Sequence, residues 1–248
     1  MDRFQPETST PSKPKGKALT LVKKANKELR AKLETYIPAG DYGCIHCLTT
    51  LVLNYVPSGD APPVSHCGFS NPTSSICDQC TDRKSVCDRP NAMLERDFSE
   101  LMACISLAVE HVWDEDEGEL TFSADDRLDI AKALKAYINE FVKSERDYRT
   151  HYKLTGSKTA RKELVYNARK QVLAARHPMP ARAYTDPELR KAWERLSLPA
   201  LEFCDPGYAH LTLARRRYVT EFMAVIKRNY TKESVKETQE QLENLVRV

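Results

Sequence analysis

Cys44, Cys47, Cys67, Cys77, Cys80 and Cys87 are six of the eight cysteines in this 248-residue chain. Their spacing is C-x2-C-x19-C, then nine residues, then C-x2-C-x6-C, so the cluster consists of two like halves. Two thiols separated by two residues flank a tight turn that aims both sulfurs at one point, and a third from the next segment closes a loop on the same ion. The opening residues, MDRFQPETSTPSKPKGK, lack the apolar core of a secretion signal. The expected setting is therefore intracellular, where thiols stay reduced and metal binding is favoured over disulfides. Thiolates are soft ligands, which makes zinc in tetrahedral sulfur coordination the expected metal and an iron–sulfur cluster the alternative.

Two four-coordinate ions need eight ligand positions, which six thiols fill only if two of them bridge both metals. His46 and His66 each adjoin a cysteine, and with them two separate mononuclear sites would also reach eight ligands. Two zinc ions per chain are expected in either arrangement. They would contribute on the order of 10 kcal/mol to folding a loop-rich segment with little core of its own, and removing them should unfold it.

The stretch CDQCTDRKSVCDRP, from Cys77 to Pro90, resembles the first half of the fungal binuclear zinc-cluster DNA-binding domain, which holds two zinc ions with six cysteines. Asp78, the x2 and x6 spacings, Arg83, Lys84, Asp88 and Pro90 carry the resemblance. It implies that Lys84, four residues after the second cysteine, reads base edges in the major groove, with Arg83 beside it. In that family this half comes first; here Cys44, Cys47 and Cys67 lie upstream and the 19-residue spacer is longer than usual. A looser similarity is to uncharacterised fungal proteins in which such a cysteine pattern precedes a helical body.

The surrounding sequence must position this cluster. Residues 1–17 are rich in Pro, Ser, Thr and Lys and are expected to form a disordered tail. Residues 18–39 read as a basic amphipathic helix carrying Lys23, Lys24, Lys27, Arg30 and Lys32, and residues 40–92 as the cysteine module. Residues 93–248 read as a helical domain, so the expected fold is mainly α: a small zinc-stabilised module joined to a helical bundle. Helices are expected over 94–113, from an N-cap at Ser123, over 158–176, over 186–197, and from Tyr208 onward. CLTTLVLNYV, beginning at Cys47, reads as a short strand or a buried loop. Cys104 and Cys204 are expected to be buried, inert thiols.

The net charge of +3 hides a strong segregation. Residues 1–40 hold nine basic and four acidic side chains, residues 88–129 hold three and thirteen, and residues 143–195 hold fourteen and six. Between Cys44 and Pro90 the charges sum to −1, so any DNA affinity must borrow charge from Lys23, Lys24, Lys27 and Arg30 or from Arg161 to Arg195. Tyr148, Tyr152, Tyr166 and Tyr184 are expected to pack inward while the neighbouring charges face water. Tyr218, Phe222, Val225, Ile226 and Tyr230 form one stripe expected to pack on the chain's own bundle, with a homodimer through the C-terminal helices as the alternative.

No Walker loop, H-E-x-x-H, G-x-S-x-G or G-x-G-x-x-G motif occurs, so neither an enzyme nor a small-molecule substrate is expected. The longest apolar stretch, Leu101 to Trp113, is too short to span a bilayer. The expected function is zinc-dependent nucleic-acid binding, as a nuclear transcription regulator of the fungal type with DNA as partner. The alternative is a non-catalytic scaffold that binds another protein and whose zinc is purely structural.

Overall fold

The computed structural model describes residues 43–65, 67–69, 74, 76–113, 122–154, 159–176, 179–185, 187, 190, 193–194, 197–230 and 232–245. The basic segment over 18–39, the tail before it, the acidic run 114–119 and most of 186–197 lie outside the described residues. Helices dominate, and no strand occurs among the described residues. We number them α1 (Ile45–Asn54), α2 (Asp78–Asp82), α3 (Glu95–Ala108), α4 (Ala124–His151), α5 (Thr159–Arg176), α6 (Tyr208–Asn229) and α7 (Lys232–Leu245).

The body is built on α4 and α6. Ser123 starts α4 by accepting the Asp126 N–H through its hydroxyl at 3.1 Å. Asp125 and Asp126 in the first turn, with Arg149 and His151 in the last, complement the helix dipole. Ile130, Leu134, Tyr137, Ile138, Phe141 and Tyr148 line the buried face at the three-to-four spacing of an amphipathic helix. α6 runs antiparallel to it. Asn229 donates to Asp126 at one end, and Ser144 donates to the Gly207 carbonyl at the other. Tyr137 stacks on Tyr218 between them, with ring centroids 6.0 Å apart. Gly207 must be glycine: its φ is +86°, and a Cβ there would lie 2.6 Å from Ser144 Oγ.

α3 follows a short 3-10 turn, Ala92–Leu94, and ends in a π-helical turn, Val109–Trp113. It packs on α4 and on α7, which lays Leu242 and Thr238 inward. The stripe on α6 buries Tyr218, Phe222, Val225 and Ile226 in this same core.

The segment expected as a strand or loop is α1. Its β-branched residues, Ile45, Thr49, Thr50 and Val52, favour a strand locally, but tertiary packing overrides that preference. Helical spacing lets Leu48 join the main core, with Ile45, Leu51 and Val52 packed at its edge. Lys135 on α4 donates to the Tyr55 carbonyl at the end of α1 at 2.6 Å. Cys104 is buried as expected, whereas Cys204 is exposed, a correction with a local cause. The loop turns Asp205 inward instead, where its carboxylate accepts from Tyr152, Arg169 and the Glu202 N–H, leaving Phe203 and Cys204 on the outside.

Candidate metal centre

Each half of the cysteine cluster is a short helix begun by a thiol. Cys44 caps α1, its sulfur accepting the Cys47 N–H at 3.2 Å. Cys77 caps α2 in the same way, accepting from the Cys80 N–H at 3.4 Å. The third cysteine of each half then folds back onto the first: the Cys44 N–H donates to Cys67 Sγ at 3.3 Å and the Cys77 N–H to Cys87 Sγ at 3.4 Å.

The halves are also stitched to each other reciprocally. The Ile45 N–H donates to the Asp88 carbonyl at 2.9 Å, and the Asp78 N–H donates to the Gly68 carbonyl at 2.9 Å. Each donor follows the first cysteine of one half, and each acceptor follows the last cysteine of the other. The local structure therefore repeats with approximate two-fold symmetry, although the loops within the halves are 19 and six residues long. The extra residues of the first half lie outside the repeated contacts.

All six sulfurs converge. Cys44, Cys47, Cys67 and Cys77 form one tetrad and Cys44, Cys77, Cys80 and Cys87 a second, with the ligand atoms of each within 4.8 Å of one another. Cys44 and Cys77 belong to both, as bridging of two ions would require. Sulfur separations of 3.5 Å for Cys44–Cys80 and for Cys47–Cys77 sit near the edge of about 3.8 Å that a tetrahedron with 2.3 Å metal–sulfur bonds requires. Six sulfurs this close leave bridging to the thiolates themselves. Tetrahedral all-sulfur coordination suits zinc or another soft divalent ion. His46 belongs to neither tetrad, and His66 lies outside the described residues.

Cys44, Cys47, Cys77 and Cys80 are buried, and Cys67 and Cys87 are half-buried; no cysteine forms a disulfide. Crowding separates the thiols electrostatically. Hydrogen bonding from Cys67, helped by the Cys47 N–H, brings the Cys44 thiol down to about 4 against the opposing effect of burial. Burial first, then hydrogen bonding to Cys44 and Cys77, pushes Cys47 up to about 12. Cys67 is raised chiefly by its hydrogen bond to Cys44, and Cys80 chiefly by burial. Near neutral pH Cys44 is thus a preformed thiolate in the metal-free cluster, beside Cys47, Cys67 and Cys80, which hold their protons. A metal ion must displace those protons, so apparent affinity should rise with pH. Chelator competition at several pH values between 6 and 8 is expected to show affinity falling more than tenfold for each unit of acidification, because more than one proton leaves per ion.

The exposed end of α2 carries Arg83 and Lys84, both at the surface. Arg83 closes the helix, and Lys84 adopts the left-handed conformation, with φ of 51°. Under the two-fold relation their counterparts in the first half are Thr50, which is buried, and Leu51, which packs against the core. Lys23, Lys24, Lys27 and Arg30 lie outside the described residues.

Cys87 leads directly into the body. Arg149 on α4 donates to the Arg89 carbonyl at 3.2 Å, lies 4.0 Å from the Asp88 carboxylate, and pairs with buried Glu145. The sequence offered no signal for this anchor, since Arg149 stands sixty residues away among other basic residues. Tyr148 is buried as expected, Tyr166 is half-buried and donates to Glu95 at 2.9 Å, and Tyr184 is exposed. No family model, curated protein or solved structure matches the chain.

Proposed function

We propose that this chain is a zinc-dependent nucleic-acid-binding protein of the fungal transcription-regulator type, in which two zinc ions share Cys44 and Cys77 and play a structural role. One observation carries the proposal: two halves that share the same cysteine caps and reciprocal backbone bonds have opposite surfaces. The first half turns Thr50 and Leu51 onto the helical body, while the second turns Arg83 and Lys84 to solvent at the same positions. Docking uses one half, and the other presents two cations on a metal-braced turn. The resemblance of Cys77 to Pro90 to the fungal zinc-cluster domain gives those two residues the base-reading role.

The test is duplex DNA binding across a salt series. Salt-sensitive binding is expected, and Arg83→Ala with Lys84→Ala should lower affinity at least tenfold while zinc content and thermal stability stay unchanged. Unchanged affinity in the double variant would remove the base-reading assignment. A wild-type protein with no duplex affinity would remove the nucleic-acid reading altogether.

A protein-binding scaffold is the second reading, and it rests on two features of the module. The net charge over Cys44 to Pro90 is −1, and Val86 and Ile76, flanking the exposed half, are 72% and 40% exposed. In that case a protein partner, rather than DNA, should be lost when Val86 is replaced by aspartate.

A further inference from the structure

We infer that Arg149 and Glu145 of α4 are positioning residues for the metal centre: they hold the backbone that follows Cys87, and so set the affinity of the ion bound by the second tetrad. This rests on the proposed two-zinc centre and holds whether or not the chain binds DNA. Neither side chain belongs to a tetrad. Groups one step removed from a metal fix the orientation of its ligands, and losing one commonly costs about ten- to a hundredfold in affinity.

The run from Cys87 to Asn91 joins the second tetrad to the body, and it is held along its length. Cys87 Sγ accepts the Cys77 N–H at 3.4 Å. The Asp88 carbonyl accepts from the Ile45 N–H at 2.9 Å, the Arg89 carbonyl from Arg149 at 3.2 Å, and the Asn91 carbonyl from the Leu94 N–H at 2.8 Å. Asn91 Oδ1 accepts the Met93 N–H at 2.9 Å, and both Met93 and Leu94 are buried in the main core. Pro90 removes a further degree of freedom by fixing its own φ. A ligand whose C-terminal side is tied down in this way gives up little additional entropy when it binds the ion.

Arg149 is the side chain in this set that reaches in from α4. Its guanidinium meets the Arg89 carbonyl, lies 4.0 Å from the Asp88 carboxylate and is aimed by Glu145, one turn earlier on the same helix. Glu145 is buried, which pushes its carboxyl up; Arg149 opposes that shift, and so does the Asn91 N–H. One carboxylate on α4 thus engages the strap at Asn91 directly and at Arg89 through Arg149. The residue after Cys67 is held differently, since the Gly68 carbonyl accepts from Asp78 inside the module. Cys67 serves only the first tetrad and Cys87 only the second. Loss of the α4 pair should therefore weaken the second ion far more than the first.

The experiment is zinc titration of the full chain against a competing chelator, in two backgrounds that isolate the ions. Cys67→Ser keeps the second tetrad whole, and Cys87→Ser keeps the first. Glu145→Gln with Arg149→Met is the test pair, because removing the arginine alone would leave Glu145 buried without its partner. The pair should lower zinc affinity by about tenfold or more in the Cys67→Ser background and change it little in the Cys87→Ser background. A role confined to the stability of the body would lower both affinities alike. Coupling is reciprocal, so zinc should also slow amide exchange at the end of α4 in Cys67→Ser, and do so less once the pair is replaced. Wild-type protein that binds no zinc, or Cys67→Ser protein that keeps none, would overturn the two-zinc reading and this inference with it. Zinc binding by Cys67→Ser that is unchanged by the pair, or equal losses in the two backgrounds, would overturn this inference alone.

Discussion

On the proposed two-zinc centre, replacing Cys77 with serine is expected to abolish binding of both ions, whereas replacing Cys67 should abolish binding of one. The difference follows from which sulfurs belong to which tetrad. Cys77 and Cys44 each serve both tetrads, while Cys67 serves only the one built on α1. A serine hydroxyl is a poor substitute for a bridging thiolate, so Cys77→Ser leaves each ion with three sulfur ligands and no bond tying the two sites together. Structural zinc contributes on the order of 10 kcal/mol at neutral pH, comparable with the whole stability of a typical domain. The module of the Cys77 variant should therefore lose its fold, with α1 retained only so far as Leu48 and its neighbours hold it on the body. Metal analysis by mass spectrometry, with cobalt substitution to follow the sulfur-to-metal charge-transfer bands, should give two ions in the wild type, about one in Cys67→Ser and none in Cys77→Ser. Two independent mononuclear sites completed by His46 and His66 would behave differently: Cys77→Ser would lose one ion and keep the other. That outcome would dismantle the bridged centre.

The cysteine pattern made the centre legible because ligand spacing is a local property. Two residues between thiols impose a tight turn whatever surrounds it, and the shortage of ligands for two ions already pointed to shared sulfurs. The helices with strong starts were legible for a similar reason. Ser123 caps α4 through its own side chain, and the apolar positions of α4 and α6 repeat at a period that only one conformation satisfies. α1 was not legible, because its conformation is decided at a distance. A run containing Thr49, Thr50 and Val52 is locally suited to a strand, and it becomes a helix because Cys44 caps its start and Leu48 finds the body. The reciprocal bonds from Ile45 to Asp88 and from Asp78 to Gly68 were equally hidden, since backbone groups leave no trace in residue types. The placement of Cys204 depended on a buried aspartate 36 residues away in sequence from its partner Arg169, a pairing that neither residue announces.

The buried charges between α3 and α6 were also unannounced, and they support the second large expected effect. Arg215→Ala should destabilise the protein by about 3–5 kcal/mol, the cost typical of leaving a buried ion without its partner. Its guanidinium bonds to Glu100 and lies 3.8 Å from Asp97, and all three side chains are almost fully buried. Arg96 completes the cluster, with Nε 2.8 Å from Glu100. The other Asp97 oxygen accepts the Leu201 N–H at 2.8 Å, which ties the loop after residue 197 to the core. Two arginines and two carboxylates balance; without Arg215, one negative charge stays buried among apolar side chains. Adding Glu100→Gln to the Arg215 variant restores neutrality, one cation (Arg96) balancing one anion (Asp97), and should recover part of the loss even though a second native group has been removed. Urea unfolding of the wild type, the single variant and the double variant measures this directly. A single variant within 1 kcal/mol of wild type, or a double variant less stable than the single, would show that the cluster is solvated and that charge balance does not hold α3 to α6. Recovery in the double variant would separate a buried charge from a lost contact, because removing the second member of a contact already lost gives no stability back.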